Sequence, residues 1–161
     1  MKRRNERGFS LIEVVIALGL LAGVLISIAG LFIIGGRQVK SGRTSSEAVA
    51  LAKEIHEEMN AWGYTQIWSM FGYDGQATTY TVDTRTNATC TAWQNTLRAK
   101  LGSSAYANVK LDSVANAAGT TSNFADASGN VLAKTVRVSV TVNWTEMPAR
   151  PRTVTVGTTK N

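Results

Sequence analysis

The sequence predicts an α+β protein in which one long N-terminal helix lies against a small antiparallel sheet. Three observations predict it. Between Glu13 and Arg37 run 23 uncharged, mostly apolar residues, and ~20 such residues of helix span a bilayer. Beyond them Ala48, Leu51, Ala52, Ile55, Met59 and Trp62, with Val39 upstream, recur at spacings of three and four, the stripe of a helix with one buried face. Near the other end Val136, Val138, Val140, Val142 and Trp144 alternate with Arg137, Ser139, Thr141 and Asn143, the period of a strand with one apolar face.

Taken in order, the chain opens on a basic leader: Lys2, Arg3, Arg4 and Arg7 against Glu6. Residues 10–62 read as one nearly continuous helix, ~80 Å long at ~1.5 Å per residue. Its first half is apolar all round. Its second half is amphipathic, with Lys53, Glu54, Glu57 and Glu58 opposite the stripe and Gly63 as the stop. Gly19, Gly23, Gly30, Gly35 and Gly36 weaken the helix, each by ~1 kcal/mol relative to Ala. The Gly19/Gly23 spacing also suits close helix approach in lipid.

Residues 63–76, with Trp68, Met70, Phe71 and Tyr73 among glycines, read as a loop whose aromatics pack over the helix, with a subunit contact as the alternative. Thr78 to Thr84 alternates as a strand. Thr89 to Leu101 carries Trp93, Leu97 and Leu101 at four-residue spacing, a short helix with Thr89 or Thr91 as cap and Gly102 as stop. Val109 and Leu111 flank Lys110 in a short strand. Residues 113–130, rich in Ala, Ser, Thr, Asn and Gly, read as a mobile surface loop. The Val136–Trp144 strand is followed by a connection through Pro148 and Pro151. A last strand then carries Val154 and Val156 between Thr153 and Thr155. The apolar sheet face (Val138, Val140, Val142, Trp144, Val154, Val156) needs a cover, and the Leu51–Ile55–Met59–Trp62 stripe is the cover expected.

Composition narrows the chemistry. The net charge is +6, of which the leader holds +3; the remaining surplus is mild and no nucleic-acid partner is expected. The leader charges favour an N-terminus in the cytoplasm. Cys90 is alone, so a buried free thiol is expected rather than a disulfide. His56 is the single histidine, so no two-histidine metal site is expected. It sits in a helical stretch with no Gly-x-Ser-x-Gly nucleophile motif, and no enzyme activity is expected. Asp112 and Asp126 lack the Asp-x-Asp-x-Asp spacing of a calcium loop. No cofactor, metal or catalytic residue is expected. The sequons at Asn87 and Asn143 are taken as chance.

The residues Gly8-Phe9-Ser10-Leu11-Ile12-Glu13, behind a basic leader and ahead of the apolar run, resemble the class III signal of type IV prepilins and type II secretion pseudopilins. Its cleavage point lies before the apolar run, whereas an ordinary secretory signal is cut after one. The close resemblance covers roughly residues 1–60. The strand pair near the C-terminus and the Trp93–Leu97 helix resemble, more loosely, the PilV-like minor pilins and the type II secretion minor pseudopilin I. Many major pilins carry a proline about one-third of the way along the helix, where this chain has Gly30, so the major-pilin bend is not expected.

The resemblance implies a type IV pilin-like fold in three parts. Residues 1–8 are a prepilin leader peptide, 9–36 a transmembrane and filament-core helix, and 37–161 a periplasmic or extracellular globular domain that includes the second half of the helix. It implies that prepilin peptidase cuts between Gly8 and Phe9 and that the new N-terminus, Phe9, is N-methylated. It also implies that Glu13 forms the assembly salt bridge to a neighbour's amino terminus. The implied partners are other pilins or pseudopilins, prepilin peptidase, an inner-membrane assembly platform, and membrane lipid before assembly. The implied place is the inner membrane, with the C-terminal domain outside the cytoplasm, and then a surface or periplasmic filament. The expected function is a minor pilin or pseudopilin that joins, and helps prime or cap, a type IV pilus-like filament. A type II secretion minor pseudopilin is the alternative within the family. A membrane-tethered or tip-displayed binding or adhesion module is the alternative from another class.

Overall fold

A computed structural model of the protein describes residues 10–146 and 149–161. In chain order it contains α1 (Leu11–Ala61), α2 (Gln66–Ser69), β1 (Thr79–Asp83), a single 3₁₀ turn (Ala88–Cys90), α3 (Thr91–Leu101), β2 (Tyr106–Ser113), β3 (Val136–Glu146) and β4 (Arg150–Lys160). The fold is α+β: the long helix α1 packs on a four-stranded antiparallel sheet of order β1-β2-β3-β4. Every strand neighbours the next in sequence, the arrangement that short connections favour. The chain divides into two compact units, with the boundary after Gly42.

In the second unit α1 buries Ala48, Leu51, Ala52, Ile55, His56 and Met59, the steps of three and four that keep one helical face on one side. Burying residues of the size of Leu51, Ile55 and Met59 stabilises by ~1.5–3 kcal/mol each. The stripe starts at Ala48, not Val39: Val39 is 75% exposed. His56 belongs to the buried face as well. The opposing sheet face is continuous because the register aligns Val82 with Val109, Val109 with Val140, and Val140 with Val156. Trp62, Phe71 and Trp93 close the core beside it, with Trp62 stacked on Trp93 at 5.8 Å.

Several elements differ from what periodicity suggests. The 63–76 segment contains α2, whose Ile67 and Trp68 are buried. It turns at Gly75 with φ +82°, where a Cβ would lie 3.0 Å from both Trp68 Nε1 and Ala125 Cβ, so only glycine fits. The 3₁₀ turn before α3 is capped by Asn87, whose Oδ1 accepts from the Thr89 N–H, rather than by Thr89 or Thr91. Gly102, at φ +101°, ends α3 as expected. β2 is eight residues long, because Ala107 and Tyr106 continue the alternation of Val109 and Leu111.

The long connection between β2 and β3 is not all surface. Phe124 is fully buried and stacks on Trp68 at 5.5 Å, while Ala125 pairs with Val131 in an isolated bridge. Asp126 holds the turn beyond it by accepting from the Ser128 and Asn130 N–H groups and from Asn130 Nδ2. Those hydrogen bonds, Asn130's first, keep the Asp126 carboxyl below the usual range.

Pro151 lies inside β4 rather than in the connection. β4 is an edge strand, and a proline there removes no ladder bond if its nitrogen faces away from the sheet. Met147 and Pro148 lie outside the described residues.

Two polar contacts reach α1 from far along the chain. Glu58 was expected on the solvent face, but its Oε2 accepts a 2.6 Å hydrogen bond from Trp93 Nε1. The last turn of α1 has no basic residue of its own. Lys160, at the end of β4, supplies one: its Nζ donates to the carbonyls of Asn60 and Trp62. A cation there satisfies orphan carbonyls and opposes the negative end of the helix dipole.

Candidate processing and assembly site

The N-terminal site is built on the first turn of α1. The Ser10 carbonyl accepts from the Glu13 N–H at 2.9 Å and from the Val14 N–H at 3.2 Å, so the helix closes its first turn around Glu13. Among the described residues no cation lies within ion-pair distance of Glu13. Gly8 and Phe9 lie outside the described residues.

Downstream of Glu13 the helix is apolar on every side, and its large apolar side chains are exposed among the described residues. Exposure of the large apolar side chains ranges from 43% at Ile28 to 83% at Leu11, and the segment is long and apolar enough to cross a membrane with none of its apolar window buried. The helix passes Gly19, Gly23, Gly30, Gly35, Gly36 and Gly42 without interruption, and a Cβ at any of them would meet open space. Their smallness is therefore not used within one chain. Ser27 hides its hydroxyl by donating to the Gly23 carbonyl at 2.9 Å.

Elsewhere, among the described residues, several reactive groups are already engaged, although the buried His56 Nε2 has no hydrogen-bond partner. Cys90 is fully buried, and burial first, then the nearby charge of Asp83, pushes its thiol up to about 11. That keeps it protonated and inert at neutral pH. Asp112 accepts from Lys110 at 2.9 Å and from Thr79 at 2.8 Å. Burial would raise its carboxyl, but these two contacts and the charges of Lys110 and Arg137 hold it low. Asp83 is held low mainly by its hydrogen bonds from Arg85. Asn87 is committed to its cap and to the Phe71 carbonyl. Among the described residues no three of His, Cys, Asp and Glu gather as a metal site would need. Sequence reasoning missed Glu58 and Lys160 as contact-making residues, and no local signal marks either one.

Residues 3–34 match the prokaryotic N-terminal methylation motif. The match spans the basic leader, the Gly8–Phe9 junction, Glu13 and most of the apolar half of α1. No curated protein matches the chain, and no solved structure does. The motif belongs to structural proteins, and with the apolar helix it describes a membrane-anchored chain. This motif, ahead of a long N-terminal helix packed on a four-stranded antiparallel sheet, supports a likeness to type IV pilin-like proteins.

Proposed function

We propose that the chain is a minor pilin or pseudopilin, a non-enzymatic subunit that joins a type IV pilus-like filament and helps prime or cap it. One observation carries the reading: the methylation motif sits on a helix half whose large apolar side chains are exposed among the described residues. The second unit, by contrast, carries a closed core of its own. Lipid covers residues 9–36 before assembly, and the helices of other pilins or pseudopilins cover them afterwards. Prepilin peptidase removes residues 1–8 and Phe9 becomes the N-methylated terminus. Residues 37–161 stand outside the cytoplasm, and an inner-membrane platform drives polymerisation.

Glu13 sets the register. Its carboxylate is expensive in hydrocarbon, by up to ~3 kcal/mol at the bilayer centre. Pairing with a neighbour's amino terminus recovers part of that cost in the low-dielectric filament core, although desolvation offsets much of the attraction. The docked axial position in which the two charges meet is thereby favoured over other positions.

Mass spectrometry of protein extracted from membranes tests the processing step. The expected mature mass begins at Phe9 with one added methyl. A mature chain that keeps Met1, or that starts near Gly30 as after an ordinary secretory signal, overturns the reading.

A further inference from the structure

We infer that a groove on the outer face of the sheet, walled by Tyr106 and floored by Asn143, Thr145 and Thr153, binds a neutral saccharide. Every residue that lines it belongs to the second unit, so the inference does not depend on whether the chain enters a filament.

Strand alternation places the groove. The core buries Ala107 of β2 and Val142 and Trp144 of β3, and Val154 of β4 packs against it. Their strand neighbours Tyr106, Asn143, Thr145 and Thr153 therefore stand on the opposite face. The register sets them in two rows. Tyr106 lies opposite Asn143, and Asn143 opposite Thr153. One row further on, Thr145 lies opposite Pro151, and its N–H reaches Ser104 Oγ at 3.2 Å. These two rows line a groove of about 380 Å³, at the small end of the ~300–1,000 Å³ found for small-molecule sites.

The lining holds unused hydrogen-bonding capacity. Among the described residues the hydroxyls of Tyr106, Thr145 and Thr153 make no hydrogen bond, and Asn143 Oδ1 accepts none; Asn143 Nδ2 makes one, at 3.4 Å to the Thr141 carbonyl. Ser104 Oγ is an acceptor for Thr145 and keeps its own proton to donate. Several groups that can both donate and accept thus converge on one groove, which suits a ligand whose surface is itself made of hydroxyls. Tyr106 adds an aromatic surface. The Arg85 guanidinium lies 3.8 Å from the ring centroid and covers one face. That contact steadies the ring and leaves its other face and its hydroxyl for a ligand with both apolar and polar sides, as a sugar ring has.

Charge selects among occupants. Both guanidiniums beside the groove are already paired, Arg85 with Asp83 and Arg152 with Glu146. A phosphate or carboxylate ligand would call for an uncommitted guanidinium, and a cationic ligand for an uncommitted carboxylate. The groove offers neither, and its remaining polar groups are uncharged. A neutral polyhydroxylated ligand is the one that uses them.

The test titrates the isotopically labelled full chain in a zwitterionic detergent, since glycoside detergents would compete. The probes are lactose, maltose and N,N′-diacetylchitobiose, with inorganic phosphate and a Gly-Ser peptide as comparisons, all at millimolar concentration. At least one disaccharide is expected to shift the NMR signals of Tyr106, Asn143, Thr145 and Thr153 saturably, and to leave Tyr73 and Tyr80, an aromatic stack elsewhere in the unit, unmoved. Tyr106→Phe, which keeps the ring, and Thr153→Val, at an exposed position, should each weaken that binding about fivefold, the effect of one lost hydrogen bond. Tyr106→Ala should weaken it tenfold or more. The shifts are read on the native chain and so stand whether or not a variant folds. Failure of all three disaccharides to move the groove signals, equal shifts from phosphate or from the peptide, or unchanged affinity in both Tyr106→Phe and Thr153→Val overturns the inference.

Discussion

The two halves of α1 are built from similar residues and meet opposite environments. From Leu11 to Ile34 large apolar side chains are exposed all round the helix. From Ala48 to Met59 they are confined to one face, and that face is buried to a few per cent or less apart from Leu51 and His56. A helix apolar on every side needs an apolar surround on every side, whereas a striped helix needs one wall. The sheet provides that wall for the second half. Among the described residues the first half has no such wall: its apolar window is not buried. The comparison separates what the molecule does alone from what it does in company.

If the comparison holds, substitutions in the first half change assembly and leave the fold intact, while those in the second do the reverse. The largest effect is expected at Glu13. Glu13→Val should leave membrane insertion and the melting of the second unit unchanged. It should reduce the chain in sheared filament fractions by more than tenfold, what ~1.4 kcal/mol of lost docking free energy produces. Glu13→Asp should be milder. Normal incorporation of Glu13→Val would remove the pairing role.

Next comes Ile55→Ala, on the buried face. It should cost ~2–5 kcal/mol as a large-to-small core change. Leu21→Ala, in the exposed half, should leave the melting transition where it is. Equal shifts for the two, measured by thermal or denaturant unfolding of the full chain in detergent, would break the comparison.

Glu58 and Lys160 sharpen it, because both support the second half by contacts distant in sequence. Glu58→Ala should cost ~1 kcal/mol through the orphaned Trp93 N–H, and a double-mutant cycle with Trp93→Phe should recover most of that as coupling. Lys160→Met should cost a similar ~1 kcal/mol by uncapping α1. Faster amide exchange confined to the last turn of α1 would identify the cap as the cause.

The smallest effect concerns pH. The Asp126 carboxyl is held low by Asn130 and by the turn's N–H groups. Its contribution is thus present above the ordinary carboxylate value of ~4 and is lost as pH falls through the lower folded value. Unfolding midpoints measured from pH 6 down to pH 2 should converge for the native chain and Asp126→Asn at the acid end. A difference that grows on acidification would reverse the sign.

What the sequence determined by itself were the features carried by local pattern. The membrane-length run, the motif at Gly8 to Glu13, the Ala48–Met59 stripe and the β3 alternation are all periodicities or short spacings. They set which faces are apolar before any partner is chosen. The tertiary structure decided everything that rests on pairs distant in the chain. Phe124 sits in a stretch with little other apolar content, and it is buried because Trp68 and the turn at Gly75 make room for it. Val39 fits the stripe in spacing but stays exposed on the other side of the unit boundary. Glu58 has the composition of a solvent face and becomes an acceptor only because α3 brings Trp93 to it. Lys160 reaches the end of α1 across 98 residues of chain. No one-dimensional pattern encodes such meetings, because the free energy of a contact depends on which groups the whole fold brings within a few ångströms of one another.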